Sequence, residues 1–374
     1  MKLPTVKAAF LAMAGLFIAN IAIAAEPVKI IYANYISPKH PTNVALVKFF
    51  EKVEKESNGN IDFEWHFGSS LLGAKDIPAG IRDGLADAGY IVGVFVPSEM
   101  PVDNYIGDFS MLNDDAMALT GAVNELIIHD CPQCKKEYEE DFKVKYLGSY
   151  ALTPYVFQCK KDRRALNDFK GIKIRGFSAV AELLKDLGSV PVGVTTSEMY
   201  EALDRGIIDC TAHMLTSQRA FSIGEVAKYI ITDSLGGFMG GSMLNMRLDK
   251  WAELKPEQRA IIIKNLPIVL AQTTFNYLRL DREVRKEMEA KGNKFFEADP
   301  KLAEKILQFR KDYIKNRVVK KGLERGVQNP EELKKKIIAL KKKWTKLLDE
   351  NGRDQATFQK LLWDQIFSKV DTTG

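Results

Sequence analysis

The chain has 374 residues, 54 of them basic and 49 acidic, with a formal net charge of +5 and 46% hydrophobic residues. That length allows one large or two medium domains with a sizeable core, and so balanced a charge makes no case for a nucleic-acid partner. The four histidines are dispersed and there is no second C-x-x-C, which argues against a zinc site.

Lys2 and Lys7 precede an almost unbroken apolar run from Ala8 to Ala24 that closes on Ala22-Ile23-Ala24. A basic start, a run short for a membrane span and small residues at the cleavage positions describe a secretory signal peptide, residues 1–24. No cysteine follows the cleavage site, so a lipid anchor is not indicated. Export to a bacterial periplasm is the expectation.

Lys29 to Tyr35 is an apolar strand and Ser37 to Pro41 a loop. From Asn43 to Ser57, Leu46, Phe49, Phe50 and Val53 recur at helical spacing, with Asn58-Gly59 as the stop signal. Ile61 to Phe67 alternates as a strand with one wet face. A helix over Ala74 to Arg82 and a buried strand over Gly84 to Val96 follow. Then come an extended stretch from Tyr146 to Lys160, strands at Ile172–Phe177, Pro191–Val194 and Ile207–His213, and helices at Val180–Leu187 and Ser197–Leu203. This alternation predicts an α/β protein with mostly parallel sheets. Beyond Lys250 helix dominates, with Leu302, Ile306, Phe309, Tyr313, Ile337, Leu340, Trp344 and Leu347 as packing stripes. The lysine runs 334–336 and 341–343 fit a solvated helix face.

In an oxidising compartment the four cysteines read first as disulfides. Cys131-Pro132-Gln133-Cys134 has the spacing of a thiol oxidoreductase, yet it lies over a hundred residues into the chain rather than just after an early strand. A structural pair is the simpler reading, and an exported thiol-disulfide oxidoreductase or other periplasmic enzyme is the alternative. No P-loop, G-x-S-x-G, H-E-x-x-H or dinucleotide fingerprint is present, and no cofactor is implied. His66 falls on the wet side of its strand and His129 beside Asp130 at the surface.

Arg175 ends the run Asp168-Phe169-Lys170-Gly171-Ile172-Lys173-Ile174-Arg175 with no acidic partner nearby in sequence. A guanidinium at the end of a buried strand is a candidate carboxylate clamp, against the plainer reading of a solvated arginine or an ion pair. An ordered series of stretches sharpens this. Ser37-Pro38-Lys39-His40-Pro41, Glu54 to Gly59, Leu72-Gly73, Arg82 to Asp87, Asp168 to Arg175, Ser197 to Leu203, Gly206 to Asp209 and Glu225 to Tyr229 resemble, in that order, the DctP-like substrate-binding subunits of tripartite ATP-independent periplasmic (TRAP) transporters.

The resemblance implies a two-lobed α/β fold of the periplasmic-binding-protein kind, with a ligand cleft between lobes, hinge strands and long C-terminal helices. Lobe I is expected over 25–152 plus about 237–275. Lobe II is expected over 153–236 plus about 276–374, including the helical C-terminal region. It further implies a receptor, not an enzyme, that binds a small organic acid through Arg175 and delivers it to membrane permease subunits. In Cys210-Thr211-Ala212-His213-Met214, His213 stands where the family usually has Asn. If His213 faces the cleft, strand parity turns Thr211 the same way and Cys210 away. Gln158, where some relatives carry a second Arg, would face the cleft too, with Cys159 behind it. A Cys159–Cys210 disulfide and a single clamped carboxylate are the corollaries. Tyr90 and Val92 on the first lobe's cleft strand point to a partly apolar ligand.

Overall fold

The structure is a computed structural model that describes Met1, residues 26–239 and residues 241–373. Apart from Met1, the expected signal peptide lies outside the described residues. Eleven strands occur among the described residues: β1 Val28–Ala33, β2 Ile61–His66, β3 Ala88–Ile91, β4 Val144–Ser149, β5 Tyr155–Cys159, β6 Lys173–Arg175, β7 Val190–Val192, β8 Cys210–Met214, β9 Tyr229–Ile231, β10 Ser242–Arg247 and β11 Lys294–Phe296. They form two sheets, ordered β2-β1-β3-β10-β4 and β11-β9-β5-β8-β6-β7.

Each sheet is mixed rather than mostly parallel. β10 runs antiparallel to both neighbours in the first sheet, and β5 does so in the second. The reason is topological. The chain crosses from β4 in one sheet to β5 in the other and returns from β9 to β10, so strands that lead out of a crossing meet the βαβ units of each lobe head to tail. The extended stretch read over Tyr146 to Lys160 is therefore two strands in two lobes, with the crossing between them.

The two crossings lie side by side. Leu152 N–H donates to the Phe238 carbonyl (3.0 Å) and Tyr155 N–H to that of Gly236 (2.7 Å). Gly236 has φ +84°, and a Cβ there would sit 2.8 Å from the Ser110 carbonyl, so both backbone conformation and close approach demand glycine.

The helix Pro41–Glu56 buries Leu46, Phe49, Phe50 and Val53 and ends as the sequence signals, with Asn58 at φ 53° and Gly59 at φ 75°. It packs against the 35-residue helix Pro256–Ala290, about 52 Å long at 1.5 Å per residue. That helix ties both lobes together: its Asp281 accepts the Thr216 N–H at 2.7 Å, and Glu283 and Glu287 pair with Arg219 beyond β8. The sequence grouping of 276–374 with lobe II needs correction for the C-terminal helices. Pro330–Asn351 packs on Ala116–Glu125 of the first lobe, where Trp344 donates to Glu125 (2.8 Å), and Gln355–Gln365 packs on the long helix. The buried strand expected over Gly84 to Val96 shrinks to β3, because Gly93–Phe95 turns as a 3-10 segment into the cleft wall.

Cys159 and Cys210 are directly opposed in the β5/β8 register and are joined, as are Cys131 and Cys134. Sequence separations of 51 and 3 make the two staples unequal. Chain-entropy arguments give about 4 kcal/mol for the long loop and about 2 kcal/mol for the short one. Urea midpoints should therefore fall further for the Cys159→Ala/Cys210→Ala pair than for Cys131→Ala/Cys134→Ala; the reverse order would mean that strain or residual structure outweighs loop closure.

Candidate functional site

Arg175 is the last residue of β6, and alternation along Lys173-Ile174-Arg175 turns Ile174 into the core and Arg175 to the opposite face, towards the space between the sheets. Its side chain is only 4% exposed. Nε donates to the Val194 carbonyl (3.1 Å), a terminal N–H reaches the Ala212 carbonyl at 3.4 Å, and the guanidinium lies 5.0 Å from the Phe177 ring centroid. Among the described residues no carboxylate pairs with it, although lysines and arginines elsewhere pair with carboxylates throughout the chain. Burial lowers its pKa, opposed by the neighbouring Tyr155 and Tyr35. Even so, an arginine stays charged.

Arg175 opens onto a cavity with about 670 Å³ of non-atom space, open solvent at its mouth included. Tyr35, Tyr90, Val92 and Phe95 come from the first lobe, Tyr155, Phe177, His213 and Phe221 from the second, Tyr150 and Phe238 from the crossings, and Tyr277 from the long helix. Among the described residues Arg175 is the one charged side chain in the lining, which contains no Asp, Glu or Lys. The tyrosine hydroxyls are largely occupied with one another. Tyr90 and Tyr150 are 3.0 Å apart, and Thr42 Oγ1 joins Tyr150 (2.8 Å) to Tyr277 (3.0 Å), which in turn meets His40 Nε2 at 3.3 Å.

His213 stacks on Tyr155 with ring centroids 4.9 Å apart and meets Phe221 edge-on at 5.9 Å. The residue is 2% exposed and its Nδ1 has no hydrogen-bond partner among the described residues. Burial, then the Arg175 charge and His40, hold its pKa well below 6.5, so the ring is neutral.

The cavity thus brings together Arg175, His213, Tyr90 and Val92 of the residues singled out from sequence. Gln158 and Thr211 are not in its lining. Gln158 is fully buried beneath it, where its amide donates to the carbonyls of His213 (3.0 Å) and Met214 (3.1 Å) and accepts from Gln218 (2.6 Å). Thr211 shares the face of His213, but its hydroxyl sits under Met199 Sδ (3.2 Å), so parity holds while the cavity stops short of it. Cys131 and Cys134 are buried and bonded in the first lobe, and no free cysteine occurs among the described residues. His66 pairs with Glu64 and His129 with the Ile366 carbonyl, neither at the cavity. Sequence reasoning missed Tyr35, Tyr150, Tyr155 and Tyr277. Only His40, within the Ser37–Pro41 stretch, carried a signal.

Residues 32–321 match the family model described as "Bacterial extracellular solute-binding protein, family 7" (DctP). The chain belongs to that family. It is a solute receptor of the TRAP type, not an enzyme, and the oxidoreductase alternative is not favoured. The receptor is 26% identical over 240 residues to the C4-dicarboxylate-binding periplasmic protein DctP of Rhodobacter capsulatus, covering 59% of this chain and 65% of that one. An uncharacterized Haemophilus influenzae protein is 24% identical over 284 residues, covering 73% and 84%. Its fold is shared with a TRAP solute-binding protein from Rhodoferax ferrireducens in complex with benzoate (TM-score 0.73, 23% identity, 85% and 98% covered). A marine metagenome TRAP protein in complex with meta-hydroxyphenylacetate is similar too (TM-score 0.74, 21% identity, 84% and 99% covered).

The buried histidines set the sign of the receptor's pH dependence. Burial holds His40 down at about 3 and His213 well below 6.5. Between 6.5 and those values the unfolded chain binds protons that the folded one does not. This contribution is fully favourable above about pH 6.5 and is lost as pH falls, by about 1.4 kcal/mol per pH unit for each histidine. Urea titrations at descending pH should show it, and His40→Gln should flatten the slope. An unchanged slope would mean that His40 titrates normally.

Proposed function

We propose that the chain is exported through residues 1–24 and acts in the periplasm, binding one small organic acid with its carboxylate on Arg175 and handing it to TRAP permease subunits in the membrane. The observation that carries this reading is a desolvated guanidinium, without a protein carboxylate, in an otherwise uncharged aromatic cavity. A buried charge of that kind is costly until an anion joins it, and a carboxylate matches its planar fork. The aromatic lining favours a ligand with a partly apolar body, and benzoate and meta-hydroxyphenylacetate held by proteins of the same fold support that choice. Closing the two lobes about the paired crossings would exclude water and strengthen the contact.

Binding confined to the folded state stabilises by RT ln(1 + [L]/Kd), about 4 kcal/mol at a thousandfold excess over Kd. A thermal-shift screen should therefore pick out organic acids, monocarboxylates with aromatic bodies foremost. Hits restricted to sugars or to amines lacking a carboxylate would refute the reading.

Arg175→Ala should weaken binding of the best acid roughly a hundredfold or more, since breaking a buried ion pair costs about 3–5 kcal/mol. The unliganded variant should be at least as stable as the parent, because an uncompensated charge has gone. Arg175→Lys keeps the charge without the fork and should recover only part of the affinity. Calorimetry on both variants measures this, and parental affinity in Arg175→Ala would show the carboxylate to be held elsewhere.

A further inference from the structure

We infer that the ligand is a monocarboxylate bearing a second, neutral polar group, a hydroxyl or carbonyl, and that His213 is the residue that reads it. This rests on the organic-acid reading above and narrows it. Arg175 supplies one positive charge, enough for one carboxylate, and no second cation among the described residues lines the walls. A second carboxylate would be buried against aromatic rings without a counter-ion, which is strongly unfavourable.

The hydroxyls of Tyr90, Tyr150 and Tyr277 are engaged in the chain that runs through Thr42 to His40, so these walls present mainly ring faces. His213 differs from them. Its Nδ1 is buried without a partner among the described residues on a side chain that lines the cavity, as is Thr196 Oγ1, and of the two only His213 offers a ring nitrogen in a fixed plane. A buried polar atom left unpaired costs free energy, and a ligand group that pairs with it recovers that cost. A neutral imidazole carries one donor and one acceptor nitrogen, so it can accept from a hydroxyl or donate to a carbonyl. The stack on Tyr155 and the edge contact with Phe221 fix the plane of the ring, which makes the demand directional. Behind it, Gln158 holds the His213 and Met214 carbonyls, so the strand carrying the ring is held as well.

The titratable and charged groups around the ring are Arg175 on β6, Tyr155 on β5 and His40 at the start of helix Pro41–Glu56, none of them acidic. Nothing among them favours the imidazolium that a second carboxylate would need.

The test uses the full mature receptor and a matched panel: phenylacetate, its α-hydroxy and ring-hydroxy derivatives, lactate with propionate, and phenylsuccinate as the dicarboxylate. Calorimetry at pH 7.5 should find at least one hydroxy acid bound about tenfold or more tighter than its parent acid, and phenylsuccinate weaker than the best monocarboxylate. In His213→Phe, which keeps an aromatic ring but no nitrogen, the ratio of hydroxy acid to parent acid should fall to about one. His213→Gln, with a donor and an acceptor but no ring, should restore part of that ratio, and it remains informative if the Phe variant does not fold. Hydroxy acids bound no better than their parents, a preference unchanged in both variants, or phenylsuccinate bound as tightly as the best monocarboxylate would each overturn the inference while leaving Arg175 as the carboxylate site. Absence of binding by every acid would instead overturn the organic-acid reading itself, and this inference with it.

Discussion

A guanidinium taken out of water without a counter-charge is the constraint around which this molecule is organised. Placing Arg175 at the end of β6 with two backbone carbonyls, an aromatic face and no carboxylate leaves a charge that water no longer solvates and the protein does not neutralise. An enzyme would need further titratable groups beside it to move protons or attack a substrate. Here the other polar side chains in the lining are five tyrosines, Ser110, Ser178, Thr196 and two histidines held neutral by burial. Such a site can hold an anion and can do little to it, which is what a receptor requires.

The rest of the fold presents that charge between two sheets, one in each lobe. Each sheet buries its own strands, and the chain passes between them through two crossings tied to one another and to Ser110 of the first lobe. The long helix spans the junction, packed along the first lobe and fastened to the second through Asp281 and the Arg219 pairs. Tyr277 lies on that helix and in the cavity wall, so the element that bridges the lobes also touches the space where a ligand would sit. Of the last two long helices, Pro330–Asn351 packs on the first lobe and Gln355–Gln365 on the long helix, while Lys305 and Arg317 before them pair with Asp186 of the second lobe. Trp344 lies directly over Gly121, where a Cβ would clash with the indole, so that layer is fitted to a helix of the first lobe.

Much of this was legible from local pattern. The helix ending at Asn58-Gly59 follows from the 3.6 period and from glycine's tolerance of positive φ, whereas turning Cys159 and Cys210 to one face needed the family resemblance as well as strand parity. What local pattern cannot supply is the pairing of distant segments. Nothing near Tyr277 announces that it meets Thr42, 235 residues away, and nothing in the stretch from Tyr146 to Lys160 marks the residue at which the chain leaves one sheet for the other. The mixed sheets and the tyrosine wall were missed for that same reason.

Gln158 and Thr211 show a subtler limit. Parity put both on the face of His213, and both are on it, yet a strand face is longer than a cavity. Helix Met199–Asp204 covers the part of β8 that carries Thr211, and Ser217 and Gln218 close over Gln158, so only the last turnings of the strand reach the ligand space. Gln158 then acts on the site from behind. Its amide binds the carbonyls of the residues whose side chains line the cavity, and a neutral amide can do this where an arginine would leave a second buried charge in search of a partner. The chemistry at this position therefore bears on the ligand's charge without touching the ligand, because by being neutral it leaves Arg175 as the cavity's one fixed charge.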